Sequence, residues 1–87
     1  MGQDSENDPG VLAEAFGAVL RELRKERGLS QEDLGFEGGY HRTYVSLLER
    51  GLKSPSLQTI FELARALKIR PSELLARVER NTRRKSK

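Results

Sequence analysis

Apolar residues along this chain recur at steps of three and four, the spacing of helices buried along one side. Leu12, Phe16, Val19 or Leu20, and Leu23 form one such stripe, with Arg21, Arg24 and Lys25 lying off it, and they predict a first helix from about Pro9 to Arg27. Asp8 can cap its start, Pro9 loses nothing by lacking an N–H in the first turn, and Gly28 supplies a left-handed residue at the end. A second helix, Gln31 to about Glu37, is capped by Ser30, with Glu32 and Asp33 complementing its dipole. The turn Gly38, Gly39, Tyr40 leads to a third helix, His41 to Arg50, with Val45 and Leu48 turned inward. After a loop from Leu52 to Pro55, Ser56 caps a fourth helix whose expected buried face is Leu57, Ile60, Leu63, Ala64 and Leu67. Pro71 then opens a fifth helix carrying Leu74, Leu75 and Val78. From Asn81 the periodicity stops.

Composition narrows the class. Eighty-seven residues make one domain with a modest helical core and no room for a second module or a deep substrate cleft. The balance of 33% charged and 36% hydrophobic residues suits a small, well-solvated helical protein. No apolar run is long enough to span a bilayer, and MGQDSENDPG has neither the basic start nor the apolar middle of a secretion signal, so a cytoplasmic location is expected. Without cysteine there can be no disulfide, thiolate zinc site or thiol nucleophile, and the single His41 cannot build an imidazole metal site, so no metal or cofactor is expected. The net charge is +3, and Asp4, Glu6 and Asp8 sit in the first eight residues, which leaves the remainder more positive. That remainder suits a phosphate backbone, although many solvated helical surfaces are as basic. The expected organisation is a disordered arm over 1–8, a domain over 9–80 ending in a dimerisation helix, and a flexible basic tail over 81–87.

Residues Ser30 to Gly51 read SQEDLGFEGGYHRTYVSLLERG: two short helices meeting at a glycine turn, the second opening on polar residues. This is a helix-turn-helix layout. The string resembles the phage-repressor (Cro/CI-like, also called XRE) helix-turn-helix family, whose pattern runs roughly SQeeLAekaGvsrsyiSrlErG. The resemblance extends from Val19 to about Leu75, through ELRKERGLSQ before the motif and PSLQTIFELARALKIRPSELL after it, and needs no gap. It implies an all-α, five-helix, lambda-repressor-like DNA-binding domain. The HRTYVSLLERG segment is most similar to controller proteins of restriction-modification systems.

The resemblance also implies roles. The start of the third helix enters the major groove, where Arg42 can fork onto guanine O6 and N7, with Thr43, Ser46 and Leu47 as further base-contacting residues. Read from the residues alone, Arg42 is an ordinary surface arginine, and Leu47 packs on the loop or a neighbour as readily as on a thymine methyl. Gln31 matches a position that reaches a phosphate, beside the free N–H groups of its helix. His41, Tyr44, Arg50 and Lys53 are candidate backbone contacts, with Ser54 weaker, and His41 serves equally well as a helix cap. Glu49 matches an acidic residue that ties the third helix to the first, with Arg24 as its partner. Leu74, Leu75 and Val78 are candidates for a dimer interface or for core. The run Arg77, Arg80, Arg83, Arg84, Lys85, Lys87 reads as solvated charge.

Gly35 and Gly38 depart from the usual alanines of the second helix, at about 1 kcal/mol each, so that helix is expected to be marginal before DNA binds. Phe36 replaces a charged residue, and either packs on the arm or marks an exposed contact. Arg70 stands where the family has a Ser or Asp cap. The expected partners are double-stranded DNA, a second copy of the chain and RNA polymerase, with no membrane and no catalysis. Two alternatives stand beside this transcriptional regulator: an antitoxin-type autorepressor, and a protein-interaction, coactivator-like module on the same fold.

Overall fold

The structure is a computed structural model that describes residues 9–85, with side chains from 10 to 83. The predicted arm over 1–8 lies outside the described residues, as do 86 and 87. The described residues form five helices: α1 (Pro9–Glu26), α2 (Gln31–Gly38), α3 (Arg42–Glu49), α4 (Leu57–Ala66) and α5 (Pro71–Lys85). The all-α, five-helix architecture is therefore the one observed, with most boundaries within a residue of those expected. None of these helices is long and apolar enough to cross a membrane.

Helices α1 to α4 end alike. Gly28, Gly39, Gly51 and Lys68 take left-handed backbone angles. The next amide then bonds five residues back: Leu29 to Arg24, Tyr40 to Gly35, Leu52 to Leu47 and Ile69 to Ala64. Each closure satisfies carbonyls that a helix end otherwise leaves unpaired. Ser30 and Ser56 cap α2 and α4, and at α2 Asp33 returns a bond to the Ser30 N–H, making a full capping box.

Each helix contributes to one core. Leu20, Leu34, Leu48, Leu63 and Leu74 are fully buried with Val19 and Val45, each stabilising the fold by roughly 1.5–3 kcal/mol relative to exposure. α3 and α5 both pack on α1, α2 packs on α3, and α4 packs on α2 and α5. The α1–α3 contact is tight. A Cβ on Gly17 would lie 2.3 Å from the Leu48 carbonyl oxygen and 2.6 Å from that of Glu49, so only bare backbone fits.

Several expectations are corrected here. Leu12 is 41% exposed, because the α1 stripe ends at the lip of a small apolar pocket shared with Phe16, Ile60, Leu75 and Val78 rather than beneath another helix. Leu57 is exposed as well. The buried side of α4 runs through Thr59, Leu63, Ala64 and Ala66, which puts Leu57 and Phe61, four residues apart, on the outer side. In α5, Leu74 and Val78 are buried with the core, and of the three residues expected at a dimer interface only Leu75 is exposed. The Leu74–Val78 stripe continues at Thr82, 3% exposed, whose hydroxyl donates to the Glu79 carbonyl at 2.7 Å. Residues 81–85 continue α5 as helix, within the span expected to be a basic tail. Arg77 is tied back to Glu26 of α1 at 3.4 Å.

Candidate nucleic-acid interface

The site is built from α2, the turn after it, and α3. At the far end of α3, Glu49 is almost wholly withdrawn from water, with a side chain 3% exposed. Its carboxylate accepts from Arg24 Nε at 2.6 Å, Arg24 Nη2 at 3.0 Å and Gln31 Nε2 at 3.0 Å, while Arg24 Nη1 donates to the Leu29 carbonyl at 2.9 Å. Bonding to Glu49 pushes the Arg24 guanidinium above its ordinary pKa, against the opposing effect of burial. One carboxylate thereby joins α1, α2 and α3. Arg24 is the partner inferred from the sequence.

The near end of α3 is open. Arg42 and Thr43 are exposed in its first turn, while Val45 and Leu48 are buried behind them. His41 is the cap, its Nδ1 accepting from the Thr43 N–H at 3.0 Å. In the neutral ring that assignment leaves the proton on Nε2, as a donor. Arg42 approaches Glu32 of α2 only at 3.8 Å, and both side chains are largely solvated, 64% and 76% exposed. Such a pair contributes roughly 0–1 kcal/mol and leaves the guanidinium available.

The other expected residues are placed as follows. Ser46 and Leu47 are half-buried one turn along α3, and Arg50 Nε donates to Ser46 Oγ at 3.3 Å. Tyr44 is half-buried, its ring 5.1 Å from that of Tyr40 at 31°. Gln31 is half-buried and turned onto Glu49. Lys53 and Ser54 are exposed in the loop after α3. His41, Arg42 and Thr43 share one exposed edge, whereas Gln31 sits by the far end of α3. Phe36, left open by the sequence, is 87% exposed on α2. Among the described residues no cluster of His, Asp and Glu is arranged to hold a metal.

Two residues here were missed from the sequence. A Cβ on Gly35 would stand 2.5 Å from the Tyr40 carbonyl oxygen and 3.3 Å from the Arg42 N, so this glycine is where α2 and the start of α3 touch. Tyr40, taken as a turn residue, reaches out of the turn to α4. Its hydroxyl bonds Thr59 Oγ1 at 2.9 Å and donates to Glu62. That bond holds the Tyr40 phenol above its ordinary pKa and, together with a bond from Gln58, holds the Glu62 carboxyl below the usual carboxylate range. The departure of Gly35 from alanine was the available signal for the close approach; nothing in the sequence singled out the Tyr40 tie.

Comparison with known proteins decides the family. The helix-turn-helix family model matches residues 20–74, spanning α2, α3 and the helices that hold them. The chain belongs to the helix-turn-helix family. Within it the chain is of the phage-repressor, Cro/CI-like type, a DNA-binding regulator of transcription. It is 43% identical over 61 residues to the control protein C.BamHI of Bacillus amyloliquefaciens, covering 69% of this chain and 75% of that one. Among solved structures it is similar to the restriction-modification controller protein C.AhdI from Aeromonas hydrophila, with 52% identity and a TM-score of 0.69 over 71% of this chain and 94% of the other. It also matches the clp gene regulator ClgR from Corynebacterium glutamicum, with 28% identity and a TM-score of 0.81 over 85% and 79% of the two chains. This helix-turn-helix chain thus shares its architecture with regulators of more than one kind.

Proposed function

We propose that the chain is a homodimeric, sequence-specific regulator of the restriction-modification controller kind. Two copies of α3 would enter successive major grooves, about 34 Å apart, on a near-palindromic operator. The observation that carries this reading is the exposure of Arg42 and Thr43 at the start of a helix whose far end is anchored by a buried carboxylate. An arginine so placed can read guanine, Thr43 can offer a hydroxyl or a methyl, and Ser46 and Leu47 follow one turn later. Nε2 of His41 together with Tyr44, Arg50 and Lys53 would contact phosphates and set register. Gln31 would do so through the amide hydrogen that Glu49 does not take and through the N–H groups opening α2.

The dimer surface of this reading is the exposed apolar set Leu57, Phe61 and Leu75, with Leu12 lining the same pocket as Leu75. Similarity to named control proteins supports the controller assignment over other regulators. Regulation would follow from occupancy, by covering a promoter or by meeting RNA polymerase from an upstream site. The test is selection of bound duplexes from a random pool, repeated with Arg42→Ala. An inverted repeat is expected, and the variant should relax it at one base pair per half-site, at about 1–3 kcal/mol. Steeply salt-sensitive binding with no enriched sequence would reject the reading.

A further inference from the structure

Tyr40 is held from three sides. Its N–H donates to the Gly35 carbonyl of α2 at 2.7 Å, its ring packs on Tyr44 of α3, and its hydroxyl reaches Thr59 and Glu62 of α4. The direction of every bond in that last group follows from chemistry. An ionised carboxylate only accepts, so the Tyr40 hydroxyl donates to Glu62. Thr59 must then donate to Tyr40, and Ser56, the cap of α4, must donate to Thr59 Oγ1 across 2.9 Å. The Ser56 oxygen in turn accepts from the Thr59 N–H at 3.1 Å, and Gln58 Nε2 donates to the other Glu62 oxygen at 3.0 Å. Every hydroxyl in the row both gives and receives. The row is therefore satisfied throughout, the condition under which such a network fixes one geometry.

The place of this row matters because of what lies on the other side of α4. At about 100° per residue, Thr59 and Glu62 face the turn, whereas Leu57 and Phe61 point nearly the opposite way, into solvent. One short helix thus carries the tie to the turn that opens α3 on one side and the exposed apolar pair on the other. We propose that Tyr40 is a positioning residue: it fixes the angle between α3 and α4, and thereby the separation of the two half-sites that a dimer accepts. The proposal rests on the dimeric operator reading above. In a dimer joined through the outer side of α4, a small rotation of α3 against α4 is doubled across the two-fold axis. It would change which half-site spacing fits without changing which base Arg42 meets.

The test measures binding of the full chain to its selected operator and to versions whose central spacer is lengthened or shortened by one or two base pairs. Melting temperature is recorded for each variant. Wild type should prefer the selected spacing. Tyr40→Phe, which removes only the hydroxyl, should lower that preference by about tenfold while keeping the base preference at the Arg42 position. Glu62→Leu should act in the same way from the α4 side, so the proposal stays open to test even if one variant folds poorly. Glu62→Gln, whose amide oxygen still accepts from Tyr40, should keep the wild-type spacing profile. If Tyr40→Phe and Glu62→Leu bind every spacing with the wild-type profile, or lose affinity equally at all of them, the positioning role is overturned and Tyr40 is only part of the core. If wild type itself shows no inverted repeat or no spacing preference, the dimeric reading fails first, and that result is distinct because it needs no variant.

Discussion

At its C-terminal end, α3 carries a carboxylate almost wholly out of water, bonded by an arginine and a glutamine from two other helices. At its N-terminal end, the same eight-residue helix presents Arg42 and Thr43 to solvent, with only a loose approach to Glu32. Two arginines meet two carboxylates, and burial separates their roles. Arg24 holds the fold, its donors taken by Glu49 and the Leu29 carbonyl. Arg42 keeps its donors uncommitted, where another acceptor can take them. A helix that offers side chains at one end is best secured at the other, because bonds formed near the open end would compete with any contacts made there.

The contrast can be broken most forcefully at the buried end. Glu49→Ala leaves the Arg24 guanidinium withdrawn from water with only the Leu29 carbonyl, and should lower stability by about 3–5 kcal/mol in urea unfolding. Adding Arg24→Leu should recover part of that loss, since the stranded charge goes with it. A drop below about 1 kcal/mol for Glu49→Ala would mean the end is less locked than its geometry says.

A smaller effect sharpens the contrast from the open end. Helix propensity alone makes Gly35→Ala a gain of about 1 kcal/mol, yet the new methyl would meet the Tyr40 carbonyl. We expect a net loss of about 1–3 kcal/mol by thermal or urea unfolding. Gly38→Ala is the control. There the new methyl meets chiefly Leu63 Cδ2 at 3.1 Å, the end of a flexible side chain, so a neutral or slightly stabilising result is expected.

The smallest effect is electrostatic. Asp33 is held below the ordinary carboxylate range, first by the Ser30 N–H and then by the Ser30 hydroxyl region of the same capping box. A depressed carboxyl contributes stability that is present above its unfolded pKa and is lost as pH falls through its folded pKa. Asp33→Asn should therefore flatten the stability-against-pH curve below about pH 4 and leave its slope near neutrality unchanged. An unchanged acid limb would remove Asp33 from that role.

Local rules made much of this molecule legible. Ser30 and Ser56 announce helix starts, Gly28 and Gly39 announce ends, and the spacing of Val45 and Leu48 orients α3, because each of these depends on near neighbours in the chain. The Arg24–Glu49 pair came through resemblance to a family pattern. What stayed hidden depends on which surface a stripe meets. Leu12 and Leu57 continue apolar stripes but reach the edge of the core, whereas Leu74 and Val78 lie beneath it. Thr82 extends α5 while looking polar, because its hydroxyl is satisfied by its own helix. At the site, exposure of Arg42 and Thr43 could be anticipated from period, and the cap at His41 was one of its two readings. The Tyr40 row could not be read, since it joins residues about twenty positions apart through hydroxyls that carry no periodic signal.

Gly17 gives the anchored end a mechanical meaning. The carbonyls of Leu48 and Glu49 rest against bare α1 backbone, so α3 behaves as a lever whose fulcrum is a missing side chain. Any residue larger than glycine there would lift the short arm, and the displacement would appear at the long arm, where Arg42 sits about 10 Å away. A change in α1 would thus be felt at the exposed start of α3, and position 17 should tolerate substitution less than its small, unremarkable residue suggests.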